Sequence, residues 1–169
     1  MPPFWPLHFP GVHGCLSFTT WNADGLWVEN DEVRHNKLTY LQRLLHTSTM
    51  VYLQEIRFND TDELAFRDWL QRLEGEWCCA FSRAAPRAGG VAVLWRRAWQ
   101  GPWHVTHHEL DAGAMQMVCF CDDHGRGQFG ACNVHFSPYS ATARQTQYTT
   151  LESTLHLSFE SAVPKQSEQ

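Results

Sequence analysis

The sequence has no run approaching the ~18–20 consecutive apolar residues of a membrane-spanning helix, so it offers no candidate for one. It has no surplus of basic charge: 13 Lys and Arg stand against 18 Asp and Glu, a formal net charge of −5. That balance argues against a broad basic face for nucleic acid, and a phosphate-directed function has to rest on a local site. It has no C-x-x-C pair, which argues against a zinc ribbon or a thioredoxin-type centre. The six cysteines, at 15, 78, 79, 119, 121 and 132, read as small apolar core residues in strand-like runs. The opening, MPPFWPLHFPGVHG, has no basic n-region and carries three Pro in its first six residues. It does not read as a signal peptide, and the expectation is a reducing, intracellular location, nuclear or cytoplasmic. Internal repeats and low-complexity blocks are missing too.

What is present is apolar and aromatic. The 169 residues are 43% apolar and 13% aromatic, with eight Trp and ten Phe, which excludes disorder as the main state. The length suits one domain, and a domain near this size buries roughly 70% of its unfolded surface. The expected layout is an irregular lead over 1–14, one domain over 15–158 and a polar tail over 159–169.

Period-two alternation predicts a strand over Leu16–Asn22, ended by Ala23-Asp24-Gly25. Leu38, Leu41, Leu44 and Leu45 mark a helix over Lys37–His46. Met50–Glu55 reads as a short apolar strand. Asp60 and Glu63 resemble a capping box, and Phe66, Trp69, Leu70 and Leu73 give the next helix its inner stripe. Strand–helix–strand–helix implies parallel strands joined by a right-handed crossover. Five further strands are predicted: Trp77–Ser82, Gly90–Trp95, Trp103–Glu109, Met115–Cys121 and Gln128–Phe136. Their short Gly- and Pro-rich links favour antiparallel hairpins. Pro138 ends the last strand, and Ala141–Leu157 reads as helical.

Three strand ends carry polar residues that a core strand does not need: Trp21-Asn22, Gln54-Glu55 and Asn133-Val-His135. Alternation puts Asn133 and His135 on one face, with Val134 and Phe136 on the other. Glu55 ends an apolar strand, where burial is costly without a cation or donor beside it. A carboxylate, an amide and an imidazole at strand ends suit a hard-metal phosphoester site, since Mg²⁺ takes one or two carboxylates plus water and substrate oxygens. The imidazole can act as acid or base near neutral pH. Plain structural roles stand beside these: Asn22 capping its turn, Glu55 paired with Arg57, His135 hydrogen-bonded within its strand. His104, His107 and His108 read as a solvated strand face, and Arg96-Arg97 as solvated strand-end charges.

TTWNADGL, VYLQEIR, GGVAVLW and CNVHFSP, in that order and spacing, resemble the endonuclease/exonuclease/phosphatase superfamily. The nearest likeness is to the apurinic-type endonuclease domain of non-LTR (LINE-type) retrotransposons, over residues 16 to about 157. The resemblance implies a two-sheet α/β sandwich of the deoxyribonuclease-like type with helices outside. It implies phosphodiester hydrolysis with Mg²⁺ or Mn²⁺, and DNA as partner. By the resemblance, Glu55 is the metal-binding Glu and Asn22 the first-strand Asn of the metal network. His135 stands where pancreatic-type deoxyribonucleases carry His at the scissile phosphate, and Asn133 has a more structural role.

The family's G-D-x-N and S-D-H motifs do not occur. The one D-H pair, Asp123-His124, precedes the N-V-H strand and reads as a hairpin turn. The chain corresponds to about the first three-fifths of such a domain, as a fragment, a truncated element copy or a shortened gene model would. Its partners would then be a missing C-terminal half, a reverse transcriptase domain, or a second copy at an exposed sheet edge. The isolated chain is expected to be inactive. The alternatives are a related phosphodiesterase (a repair endonuclease, RNA deadenylase, sphingomyelinase or inositol-phosphate phosphatase) and a non-catalytic binding or structural module.

Overall fold

The computed structural model describes residues 16–83, 89–124, 127–136 and 140–162. The expected lead over 1–14, Cys15 and the end of the tail lie outside the described residues. In chain order the elements are β1 (Phe18–Asn22), α1 (Asp31–Thr47), β2 (Met50–Gln54), α2 (Asp60–Gln71), β3 (Trp77–Ser82) and β4 (Val91–Arg96). They continue with α3 (Arg97–Gln100), β5 (His104–Asp111), β6 (Met115–Cys121), β7 (Gly127–Val134) and α4 (Ala141–Ala162).

The strands form two sheets, ordered β1-β2-β4-β3 and β5-β6-β7. β1 and β2 pair in parallel across α1, as a crossover requires. β4 lies antiparallel between β2 and β3, so β1, β2 and β3 all run the same way. The second sheet is an antiparallel meander. Alternate residues of the first sheet face different layers. Val51, Leu53, Ala92 and Leu94 pack with Leu41 and Leu45 of α1 and Phe66 and Leu70 of α2. Met50, Val93 and Trp95 pack with Val118, Phe120 and Ala131 of the second sheet. Burial on both faces explains why β2 and β4 are continuously apolar rather than alternating. The result is a two-sheet α/β sandwich with α1 and α2 outside the first sheet.

Local boundaries depart from expectation for identifiable reasons. α1 starts at Asp31, capped by Asn30 Oδ1, which accepts from Val33 N at 3.0 Å. Its first turns are solvent-facing and carry no apolar stripe. The capping box of α2 is Asn59 with Asp62, one residue before the expected pair. Glu63 instead pairs with Arg67 and Arg83. β7 ends at Val134, leaving His135 just beyond it.

Arg96 is not a merely solvated charge: it lies over the Trp77 ring and donates to the carbonyls of Leu45 and His46 at the end of α1. The described cysteines (78, 79, 119, 121, 132) are free thiols on strands and are half-buried rather than fully in the core. Asp123-His124 lies in the turn after β6, where His124 N donates to Asp122 Oδ1. His104, His107 and His108 are exposed. Among the described residues no helix is long and apolar enough to cross a membrane.

Candidate active site

Register brings the polar strand ends together. Asn22 lies opposite Gln54, Gln54 opposite Val91, and Met115 opposite Val134. The residues just after β1 and β2, Gly89-Gly90 before β4 and His135 after β7 therefore share one end of the sandwich. Backbone bonds carry the ladders past the strands. Ala23 N donates to Gln54 O, Gly25 N to Glu55 O, Ile56 N to Gly90 O, Gly90 N to Gly113 O, and His135 N to Ala114 O at 2.7 Å. Gly90 makes one of these approaches possible: with φ +92°, a Cβ there would lie 2.8 Å from Ile56 Cγ1.

Glu55 and His135 meet here, with His135 Nε2 2.8 Å from Glu55 Oε1. The other carboxylate oxygen, Oε2, accepts from Arg57 Nε at 3.1 Å and Nη2 at 3.0 Å. The same Nη2 lies 2.8 Å from Asp24 Oδ1. Glu55 is thus paired on both sides, which relieves the cost of a carboxylate at the end of an apolar strand.

The remaining strand-end groups position this cluster. Asn22 Oδ1 accepts from Asp24 N at 3.1 Å, so its side chain caps the turn that presents Asp24. No direct hydrogen bond joins Asn22 to Glu55 or His135 among the described residues. Asn133 is 2% exposed, and its Nδ2 donates to Leu53 O at 2.8 Å and Ala92 O at 2.7 Å. Its Oδ1 accepts from Gln54 Nε2, and Gln54 also bonds Thr20. Asn133 therefore ties the second sheet to the central strands of the first and sets where His135, two residues on, emerges.

Sequence reasoning did not single out Lys37. Its Nζ donates to the carbonyls of Ala23, Asp24 and Gly25 at 2.8, 2.7 and 2.6 Å, locking the turn from the side of α1. No sequence signal marks a helix lysine for such a contact.

Chemically, the cluster offers a carboxylate, an imidazole bonded to it and a guanidinium fork suited to a phosphate. The oxygen donors here of the type a hard divalent ion takes are the Glu55 carboxylate and the Asn22 amide oxygen, the latter already accepting from Asp24 N. Among the described residues no group of three or more His, Cys, Asp and Glu is disposed to hold a metal, so the set is partial.

Beside the site a hollow of 310 Å³ opens between the sheet edges, lined by Thr20, Tyr52, Gln54, Cys132, Asn133 and Val134. Burial, with Cys132 nearby, pushes the Tyr52 phenol up to about 12. A second hollow, of 180 Å³, lies at the opposite end of the first sheet around His46, Arg72, Trp77 and Arg96, away from Glu55.

No protein-family model matches the sequence, and no curated protein matches it. Solved structures do match. The AP endonuclease LMAP from Leishmania major superposes with a TM-score of 0.61 at 14% identity, over 84% of this chain and 48% of that one. TDP2 from C. elegans superposes with a TM-score of 0.56 at 17% identity, over 84% of this chain and 42% of that one. The chain spans less than half the length of either. At these identities the likeness shows the fold alone, a two-sheet α/β sandwich shared with those two structures.

Proposed function

We propose that this chain carries part of a nuclease-type phosphodiesterase domain, whose complete form hydrolyses DNA phosphodiesters with Mg²⁺ or Mn²⁺. The observation that carries the reading is the Glu55–His135 pair, bonded at 2.8 Å where the strand ends of this fold converge. A metal ion at Glu55, with Asn22 as second ligand, would neutralise phosphate charge. With a single carboxylate its affinity is expected to be roughly millimolar or weaker. Glu55 fixes the His135 ring, leaving the imidazole to hold or move a proton at a phosphate oxygen. The family's G-D-x-N and S-D-H groups, which would position the attacking water, are not among these residues. Groups that act as a unit fail as a unit, so the isolated 169 residues are expected to be inactive. A retrotransposon origin, beside a reverse transcriptase domain, fits the motif spacing.

The rival is a non-catalytic binding or structural module. It is favoured by the pairing of both Glu55 oxygens with side chains of the chain itself. The test assays the purified chain on plasmid, abasic duplex and single-stranded RNA with Mg²⁺ and Mn²⁺, beside Glu55→Gln. It is repeated after appending a segment that carries G-D-x-N and S-D-H from a complete family member. The expected result is no turnover alone, and turnover after extension that Glu55→Gln removes. Activity of the unextended chain well above Glu55→Gln would overturn incompleteness. An extended chain indifferent to Glu55→Gln would overturn the site.

A further inference from the structure

We propose that the 180 Å³ hollow at the end of the first sheet away from Glu55 is a binding site for a small organic monocarboxylate. The hollow lies where α1 and α2 end and β3 begins, with Arg96 from the end of β4 on its wall. It shares no residue with the phosphodiesterase site and does not rest on that reading.

The observation that points to a ligand is a buried indole N–H with nothing to bond. Trp77 lines the hollow and is only 7% exposed, yet its Nε1 has no hydrogen-bond partner among the described residues. A buried Trp N–H usually finds a partner, and leaving it unmade is unfavourable. Arg96 stands beside it. Its Nη2 donates to the carbonyls of Leu45 and His46, and its Nη1 has no acceptor among the described residues. Both unused donors face the space above Gly75: a Cβ there would lie 3.5 Å from Trp77 Nε1 and 4.0 Å from Arg96 Nη1. Glycine at 75, with φ +104°, leaves that space open. On the rim, the Arg72 guanidinium makes no ion pair among the described residues.

Donors without acceptors on three side chains, two of them guanidinium groups, suit a ligand with anionic oxygens. Charge limits that ligand to a monoanion. Glu74 shares the rim and the carbonyl ends of α1 and α2 converge here, so a dianion such as phosphate meets more repulsion. The floor sets the rest. Leu45 and the Trp77 ring are buried and Leu73 is half-buried, so an aliphatic stem laid on them leaves water. A cavity of roughly 150 Å³ holds a benzene-sized molecule, and this one suits an acid of a few carbons.

The experiment titrates butyrate into the ¹⁵N-labelled 169-residue chain at fixed ionic strength, following the Trp77 Nε1–H and Arg96 Nε–H resonances. Acetate, inorganic phosphate and the neutral butyramide are titrated beside it. Butyrate is expected to move both resonances saturably, and acetate to bind about threefold to tenfold more weakly for want of the stem. Phosphate should bind no tighter than acetate, and butyramide should leave both resonances in place. Trp77→Phe keeps the ring and removes the donor, and should weaken butyrate about threefold to tenfold at the Arg96 resonance. Arg72→Gln, an exposed change that leaves the core intact, should weaken it by a similar factor at both.

An absence of saturable shifts with butyrate, or equal shifts with butyramide, would overturn the anion site. Phosphate or acetate binding as tightly as butyrate would overturn the ligand class. Butyrate affinity unchanged in Arg72→Gln and in folded Trp77→Phe would overturn the assignment to this hollow.

Discussion

Gln54 Nε2 donates to Asn133 Oδ1 at 2.7 Å, and this buried bond joins the end of a strand in one sheet to the edge strand of the other. Asn133 directs both side-chain groups, Oδ1 and Nδ2, at the first sheet, through Gln54, Leu53 and Ala92. Asn133→Ala would remove one bond from each of these buried partners, at about 1–3 kcal/mol where a group is left unsatisfied; Gln54 Nε2 keeps its bond to Thr20. The expected net loss is about 2–4 kcal/mol, read as a lower urea midpoint at unchanged slope. The His135 ring should also become mobile by NMR. A midpoint within error of wild type would show that the bridge is dispensable.

Lys37→Met should loosen the turn after β1 without unfolding the chain. The lysine supplies charged donors to three carbonyls, and charge-assisted bonds of this kind contribute about 1.5–3 kcal/mol each where they are well shielded. Lys37 is only half-buried, so about 1–2 kcal/mol in total is expected. Hydrogen exchange at Gly25 and Leu26, whose amides bond Glu55 O and Ile56 O, should accelerate. Unchanged protection at those amides would count against the clamp.

The sheets were legible because their faces differ. β2 and β4 read as apolar throughout because helices and the second sheet cover both sides. α1 was legible from Leu38 onward and not before, since its first turns, with Val33 43% exposed, bury no stripe. The end of α4 was not legible, because its residues show no amphipathic period. In the site, Glu55 stood out as a carboxylate ending an apolar strand, and Arg57 was nameable as its partner by proximity. Asp24 passed as a turn residue, and its contact with Arg57 depends on backbone conformations that composition does not announce. Lys37 reaches the turn across helix and strand, so only the packed structure reveals it.

The thiols give a test of burial. Burial pushes Cys79 and Cys132 up to about 11 from an ordinary 9.0, opposed at Cys79 by the Arg67 guanidinium and reinforced at both by a neighbouring thiol. At about pH 8 the thiolate fraction then falls to roughly one in a thousand, against roughly one in ten for a free thiol. Alkylation of both residues should therefore run about 100-fold slower folded than in urea, as read by peptide mass spectrometry. Raised folded values stabilise the fold below the unfolded pKa, and the benefit is lost as pH rises through the folded one. Stability should thus decline above about pH 9 and keep falling to about pH 12, where Tyr52 titrates. Tyr52→Phe should flatten the upper part of that decline.

The last prediction concerns self-association along one side of the sandwich. Among the described residues β1 (FTTWN) and β7 (GQFGACNV) are both edge strands, and neither contains a charged residue or a proline. Charges and prolines are the devices that normally blunt an edge. β5 shows the contrast, with Glu109, Asp111 and three exposed histidines. The unguarded edges lie on the same side, since Phe18 of β1 stacks on Phe129 of β7 with ring centroids 6.2 Å apart. Phe18 remains 48% exposed, its ring beside that of Tyr52, which lines the hollow. A two-fold axis beside that mouth would pair β1 with β1 and β7 with β7 of a second copy, both antiparallel, and would cover Phe18 twice. Sedimentation velocity should therefore show concentration-dependent association for wild type. Phe18→Lys places a charge on the edge and should shift the distribution towards monomer, with circular dichroism confirming that the variant remains folded. A wild-type chain that stays monomeric at high concentration, or a Phe18→Lys chain that associates equally, would rule out this edge as the contact.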